Sequence, residues 1–123
     1  MIADKSPLQR GKNAEQLALN YLNHHGLKFL QRNFRCRLGE IDLIMQEGTT
    51  TVFVEVRSRA NDKIMNTVET IDRKKVQKII RTAGYYLQQD PEGSGPYRFD
   101  IITLTGKINS PRIDWIKNAF ADE

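Results

Sequence analysis

Cysteine, histidine and long apolar runs are scarce in this sequence, and each scarcity closes off a class of protein. The single cysteine, Cys36, permits no internal disulfide, so a reducing cytoplasm is the expected location. The two histidines, His24 and His25, are adjacent; they fall where a first helix should end, a place that suits partial positive charge better than ligation or catalysis. No apolar run approaches the ~20 residues needed to cross a bilayer. The opening Met1-Ile2-Ala3-Asp4-Lys5 has no apolar core of the secretory kind. Internal repeats and low-complexity tracts are absent as well.

What is present suits one globular domain spanning residues 1–123, with 39% apolar and 28% charged residues. A net charge of +4 and a pI near 9.3 lean toward an anionic partner. Ser6-Pro7-Leu8-Gln9 reads as a helix start with a capping box. Ala14, Leu17, Ala18, Tyr21 and Leu22 then form one apolar stripe, and Gly26 ends the helix. Leu27–Arg35 reads as a strand, followed by Glu40–Gln46 and Thr51–Arg57 joined by a turn. Asn61–Thr70 is a polar connection. A long helix runs from about Ile71 to Gln89 on the stripe Val76, Ile79, Ile80, Ala83 and Leu87. Asp90–Pro96 is a loop. Tyr97–Leu104 is a strand whose second half is apolar on both faces, hence buried on both sides. Ile113–Ile116 is a short last strand ahead of a helical tail. Helix, three strands, helix, strand describes an α/β domain with a mixed sheet.

The chemistry concentrates on the hairpin. If Gly48 and Thr49 are the centre of a type II′ turn, Ile41 faces Val56, Leu43 faces Val54 and Met45 faces Val52, giving one apolar face. The other face pairs Glu40 with Arg57, Asp42 with Glu55, and Ile44 with Phe53. A slip of one residue would set core against polar positions, so the pattern fixes the register. Opposed side chains in such a ladder have Cβ atoms about 4.5–5.5 Å apart. Asp42 and Glu55 are then two like charges at close range, which need a shared proton, a basic neighbour or a divalent metal to offset them. Paired carboxylates with room for water suit Mg²⁺ or Mn²⁺, and a cation so placed polarises a phosphodiester and acidifies a water. Glu15 lies at the border of the first helix's apolar stripe, positioned to lean toward the sheet. Arg32, Arg35, Arg37, Arg57 and Arg59 flank the hairpin. On the long helix Lys74, Lys78 and Arg81 share a face opposite the core stripe, with Arg73, Lys75 and Tyr85 close by. Such a face is usually only solvated, but it can also track a phosphate backbone. Trp115 and Phe120 read as packing residues, and Cys36 has no evident histidine partner.

Several of these residues form a familiar pattern: Gly11, Ala14-Glu15, Ala18 and Tyr21-Leu22; Asn33-Phe34-Arg35; Gly39-Glu40-Ile41-Asp42-Leu43-Ile44; Val52-Phe53-Val54-Glu55-Val56-Arg57-Ser58-Arg59; Lys74 and Lys75; Ala83, Tyr86-Leu87 and Arg98-Phe99-Asp100. Over nearly its whole length the chain resembles the YraN-like family of uncharacterised bacterial proteins, which is similar to the restriction-endonuclease-like superfamily and in particular to archaeal Holliday-junction resolvases. The resemblance implies a restriction-endonuclease-like core, a central mixed β-sheet flanked by α-helices. It further implies that Asp42 is the metal-binding aspartate, Glu55 the acid of the acid-x-lysine motif, and Glu15 the helical glutamate completing the metal shell. The motif's lysine is replaced by Arg57, which cannot lose its proton and prefers a bidentate partner. Glu40 is the expected partner, and Lys74 or Lys75 could reach in from the long helix instead.

The first functional expectation is a Mg²⁺- or Mn²⁺-dependent endonuclease, a hydrolase acting on DNA, with branched and single-stranded forms among the candidate substrates. Glu15, Asp42 and Glu55 would hold metal, Arg57 would stabilise phosphate charge, and Arg35, Arg37, Arg59, Lys74, Lys75, Lys78 and Arg81 would bind the nucleic acid. The second expectation is a catalytically silent nucleic-acid-binding protein on the same scaffold, because of Arg57. The third is an interaction module whose sheet edge pairs with a partner or, as a homodimer, with a second copy.

Overall fold

The computed structural model describes residues 7–59, 72–89, 95–107 and 109–121. The expected Ser6 cap, the connection Asn61–Thr70, Ile71 and most of the Asp90–Pro96 loop lie outside these. The elements run α1 (Pro7–His24), β1 (Lys28–Cys36), β2 (Gly39–Glu47), β3 (Thr50–Arg59), α2 (Arg73–Gln89), β4 (Tyr97–Thr105) and β5 (Arg112–Phe120). The fold is α/β: one five-stranded mixed sheet in the order β1-β2-β3-β4-β5, flanked by two helices. β1, β2 and β3 are antiparallel neighbours, β4 runs parallel to β3 after the α2 crossover, and β5 returns antiparallel. Among the described residues no helix is long and apolar enough to cross a membrane.

Two clusters sandwich the sheet. Ala14, Ala18 and Leu22 of α1 pack on Leu43, Met45, Val52, Val54, Ile102 and Leu104, while Ile79 and Ala83 of α2 pack on Ile41, Ile44, Phe53 and Phe99. β4 is covered on both faces, as its sequence predicts. α1 ends in a Schellman motif: Gly26 takes φ +96°, Gly26 N–H donates to the Asn23 carbonyl and Leu27 N–H to the Leu22 carbonyl. Leu22 and Leu27 are both core residues, the apolar contact that accompanies this cap. α2 starts at Asp72, whose carboxylate accepts the Lys75 amide at 2.9 Å.

The hairpin register is the expected one from Glu47–Thr50 to Leu43–Val54, and Gly48 at φ +62° fits the type II′ turn. Beyond Leu43 the expectation fails. The β2–β3 ladder stops there, and the β1–β2 ladder passes from Arg32–Leu43 to Phe34–Ile41 without a pair at Asp42. Opposite the gap, Asn33 is in the left-handed region at φ +54°. The alternation of β2 breaks at the same place: Ile41 packs under α2 with Ile44, not with Leu43 under α1. Glu40 consequently does not face Arg57; it sits across from Arg35 on β1 and pairs with it at 3.2 Å.

The C-terminus also departs from expectation. Where a helical tail follows a short strand in the sequence reading, β5 continues to Phe120. Its pairing with β4 shifts between Phe99–Phe120 and Ile101–Ile116, and Asn118 within that irregularity has φ +52°. The buried Asp100 carboxylate accepts the Asn118 amide at 3.0 Å, so a tertiary contact holds this stretch in the sheet.

At the opposite, β1–β2 turn, Gly39 (φ +155°) lies so close to α2 that an added Cβ would be 2.8 Å from Thr82 Oγ1. That hydroxyl is buried and donates to the Lys78 carbonyl at 2.7 Å. Gly39→Ala is expected to lower stability by about 1–3 kcal/mol, because the helix must back away from the turn. Urea unfolding of the two proteins measures this.

Candidate metal and phosphate site

Asp42 becomes the centre of the site because the ladders release it. Freed from a cross-strand pair, its carboxylate turns to β3, where Oδ2 accepts the Val56 amide at 2.8 Å. Glu55 is 6% exposed, and its Oε2 meets Lys75 Nζ at 2.7 Å. The wall of the pocket, about 380 Å³, is made by Gly11, Ala14 and Glu15 from α1, Asp42 from β2, Glu55–Ser58 from β3, and Lys75 from α2. The two sequence-predicted carboxylates therefore do meet, by a fork between strands rather than by the regular ladder opposition expected.

Burial, and next the charge of Glu55, push the Asp42 carboxyl from its ordinary 3.8 up to about 8. Glu15 adds to that rise, whereas the Val56 amide acts against it. At neutral pH the pocket thus retains a proton on an acid that would be ionised anywhere in solvent. An acid so perturbed, in a cleft beside a second carboxylate, is the pattern of a functional site.

Glu15 faces the same pocket, but Arg32 Nε lies 3.4 Å from its Oε1. Arg32 also donates to Gln16 and to the Lys12 carbonyl, both at 2.9 Å, so it belongs to the α1–β1 packing. Among the described residues no group of three or more His, Cys, Asp and Glu side chains is arranged to hold a metal ion. The expected three-carboxylate shell is instead an Asp42–Glu55 pair with Glu15 tied back. The pair still fits a hard divalent cation. Its donors are carboxylate oxygens, its repulsion is offset only by a retained proton and by the Lys75 ammonium, and the pocket has room for the waters that Mg²⁺ keeps.

Arg57 lines the pocket. Arg35, Arg37 and Arg59 lie at the same end of the sheet, at the end of β1, in the β1–β2 turn and at the end of β3. Lys74, Lys78 and Arg81 are exposed on α2, and Lys78 runs beside Gly39 at that turn. Of the two helix lysines weighed from sequence, Lys75 is the one brought into the pocket. The helix's rotation decides this: with Ile79 and Ala83 packed on the sheet, the residue one turn before Ile79 points the same way. Two residues escaped the sequence reading as site residues. Asn33 bridges the rim, its amide nitrogen donating at 3.3 Å to both Glu15 and Glu40 when turned toward them; an Asn amid strand residues was the available signal. Ser58 presents a buried hydroxyl to the pocket wall with no hydrogen-bond partner among the described residues; its place in the run Val52–Arg59 was the available signal. His25 packs against Tyr21 and meets Trp115 and His24 edge-on at the far end of α1, away from these carboxylates.

A family model described as uncharacterised protein family UPF0102 matches residues 14–104. A UPF0102 protein of Legionella pneumophila (strain Philadelphia 1) is 50% identical over 113 residues, 91% of this chain and 94% of its own. One of Nitrosomonas europaea is 47% identical over 111 residues, 90% and 92%, and one of Pseudomonas fluorescens (strain Pf0-1) is 42% identical over 118 residues, 95% and 97%. Among solved structures, that of Pyrococcus furiosus SfsA in complex with Ca²⁺ aligns at a TM-score of 0.40 and 13% identity, covering 91% of this chain and 64% of that one.

Proposed function

The chain belongs to the uncharacterised protein family UPF0102, and we propose that its carboxylate pocket is the divalent-metal centre of a nuclease acting on DNA. The observation that carries this reading is the Asp42–Glu55 pair, two acids folded together at the cost of a carboxyl shifted to about 8. A proton on Asp42 and the ammonium of Lys75 offset the repulsion between them, and a divalent cation would take the place of both. Asp42 and Glu55 would hold Mg²⁺ or Mn²⁺, with Glu15 joining directly or through water. Bound there, the cation would acidify a water and polarise a phosphoryl oxygen. Arg57, at the pocket wall, would bind phosphate oxygens and stabilise charge developing on them. Lys75 in the pocket, Arg35, Arg37 and Arg59 at this end of the sheet, and Lys74, Lys78 and Arg81 on α2 would attract and track the DNA backbone.

Arg57 also favours a second reading, a DNA-binding protein that retains the metal pair without the reaction, because a guanidinium cannot take up or release the proton a lysine can. A cleavage assay on duplex, single-stranded and four-way DNA with Mg²⁺ and with Mn²⁺ separates the two. The nuclease reading expects metal-dependent products that Glu55→Ala eliminates. Salt-sensitive binding without products, together with cutting gained in Arg57→Lys, would establish the silent form. Absence of both metal and DNA binding would defeat either reading.

A further inference from the structure

Lys75 has a place in the pocket that neither core packing nor an ordinary surface ion pair explains. Its ammonium is 2.7 Å from Glu55 Oε2, yet the lysine side chain is 51% exposed while the glutamate is 6% exposed. A buried carboxylate therefore receives its counter-charge from outside, on a flexible stem. The base of that stem is fixed, since Asp72 caps α2 through the Lys75 amide and accepts the Val76 amide on its carbonyl. The ammonium can swing while its backbone stays still. Lys75 is also the α2 residue that lines the pocket, across from Glu15, Asp42 and Arg57.

Building on the metal-centre reading above, we propose that Lys75 is the exchangeable cation of this site: it holds Glu55 while no divalent ion is bound, yields that carboxylate on loading, and then faces the phosphate of bound DNA. An ammonium and a divalent cation repel one another strongly when both touch one buried carboxylate. Glu55 left alone would be an unpaired buried charge, so Lys75 stays until replaced. Once displaced, a compact ammonium on a four-carbon stem moves at little cost, unlike a guanidinium fixed by two parallel hydrogen bonds. The exchange converts metal loading into one additional positive charge facing the substrate. Arg57, on a rigid strand two residues from Glu55, contributes a charge that does not depend on loading.

The test measures DNA binding as a function of salt for wild type and Lys75→Met, each with and without Mn²⁺, on phosphorothioate DNA that resists cleavage. Calorimetric titration with Mn²⁺ alone accompanies it. Without metal the two proteins should show the same salt dependence, because Lys75 is engaged by Glu55. With Mn²⁺ the wild-type slope of log K against log salt should exceed that of Lys75→Met by about one phosphate contact. Lys75→Met should also bind Mn²⁺ about tenfold more tightly, having lost the competing cation, and Lys75→Arg, which grips Glu55 with two bonds, about tenfold less tightly. Parallel slopes in the loaded proteins, or a salt-slope difference already present without metal, would overturn the exchange while leaving the metal centre standing. Wild-type protein that binds no Mn²⁺ would overturn both. Lys75→Arg retains the charge and much of the apolar stem, so it decides the metal arm even if Lys75→Met unfolds.

Discussion

Asp100→Ala is expected to cost about 3–5 kcal/mol, a large part of the roughly 5–15 kcal/mol that holds a domain of this size together. Asp100 is fully buried on β4. Its two oxygens accept from Arg98 Nε at 3.0 and 3.2 Å, from a second Arg98 nitrogen at 3.1 Å, from the Trp115 indole at 2.9 Å and from the Asn118 amide at 3.0 Å. Removing the carboxylate leaves the indole N–H, the β5 amide and much of a half-buried guanidinium without a partner, and each such orphan is penalised separately. Arg98 retains Glu47 at 2.6 Å, which keeps the loss from being larger. Asp100→Asn should fall between alanine and wild type, since one oxygen still accepts while the amide nitrogen meets only donors. Urea titration with a tryptophan fluorescence readout reports the unfolding, Trp115 being the only indole. The protein that remains folded should bind Mn²⁺ as wild type does, because neither Asp100 nor its partners Arg98, Trp115 and Asn118 line the pocket. A cost below about 1 kcal/mol would contradict this account of the network.

Asp42 and Asp100 both belong to the pattern that marks the family resemblance, and the sequence does not separate their roles. The difference is in their partners. Asp100 has donors on every side and Asp42 has one backbone amide and a second acid. What was legible in the sequence is what depends on local periodicity: the α1 and α2 stripes, the hairpin turn, and the register from Met45–Val52 to Leu43–Val54. Those follow from alternation and from the demand that one face be apolar. The departure at Asp42 was not legible, because it requires Asn33 to take a left-handed backbone on one side and the Val56 amide to donate to a side chain on the other. Neither leaves a periodic trace. The same limit explains Glu40, assigned to Arg57 by extending a regular ladder past the residue where it ends. It also explains β5. Ile113, Ile116 and Phe120 recur at spacings a helix could use, but the Asp100 carboxylate reaches across from β4 to fix an irregular strand. Lys75 was legible as a candidate and undecided against Lys74, since the rotation of α2 is set by Ile79 and Ala83 meeting the sheet.

Asp42→Asn should remove metal binding and cleavage while making the metal-free protein less sensitive to alkali, a combination that a structural role for the residue does not produce. Asparagine can still accept the Val56 amide and can donate to Glu55, so it reproduces the protonated acid without its proton. For wild type the sign is set by the direction of the shift. The folded-state pKa of Asp42, about 8, lies above its ordinary 3.8, so folding favours the protonated form. That contribution is fully present below the unfolded value and is lost as pH rises through the folded one. Between pH 6 and pH 9 the metal-free protein should lose about 3 kcal/mol through this group, and Asp42→Asn should lose less by that amount. Saturating Mn²⁺ should restore wild type at pH 9 and leave Asp42→Asn unchanged, since binding to the folded state alone stabilises it. Cleavage should fall by more than the roughly 10–100-fold that losing an outer-shell partner costs, because Asp42 would contact the cation itself. Chemical denaturation at pH 6, 7.5 and 9, with and without Mn²⁺, supplies the thermodynamic half independently of any activity. If wild type and Asp42→Asn share one pH profile, the acid pair is not charged with the repulsion that motivates a metal. If the profiles differ and Mn²⁺ has no effect on either, the pair is real and its counter-ion is Lys75 alone.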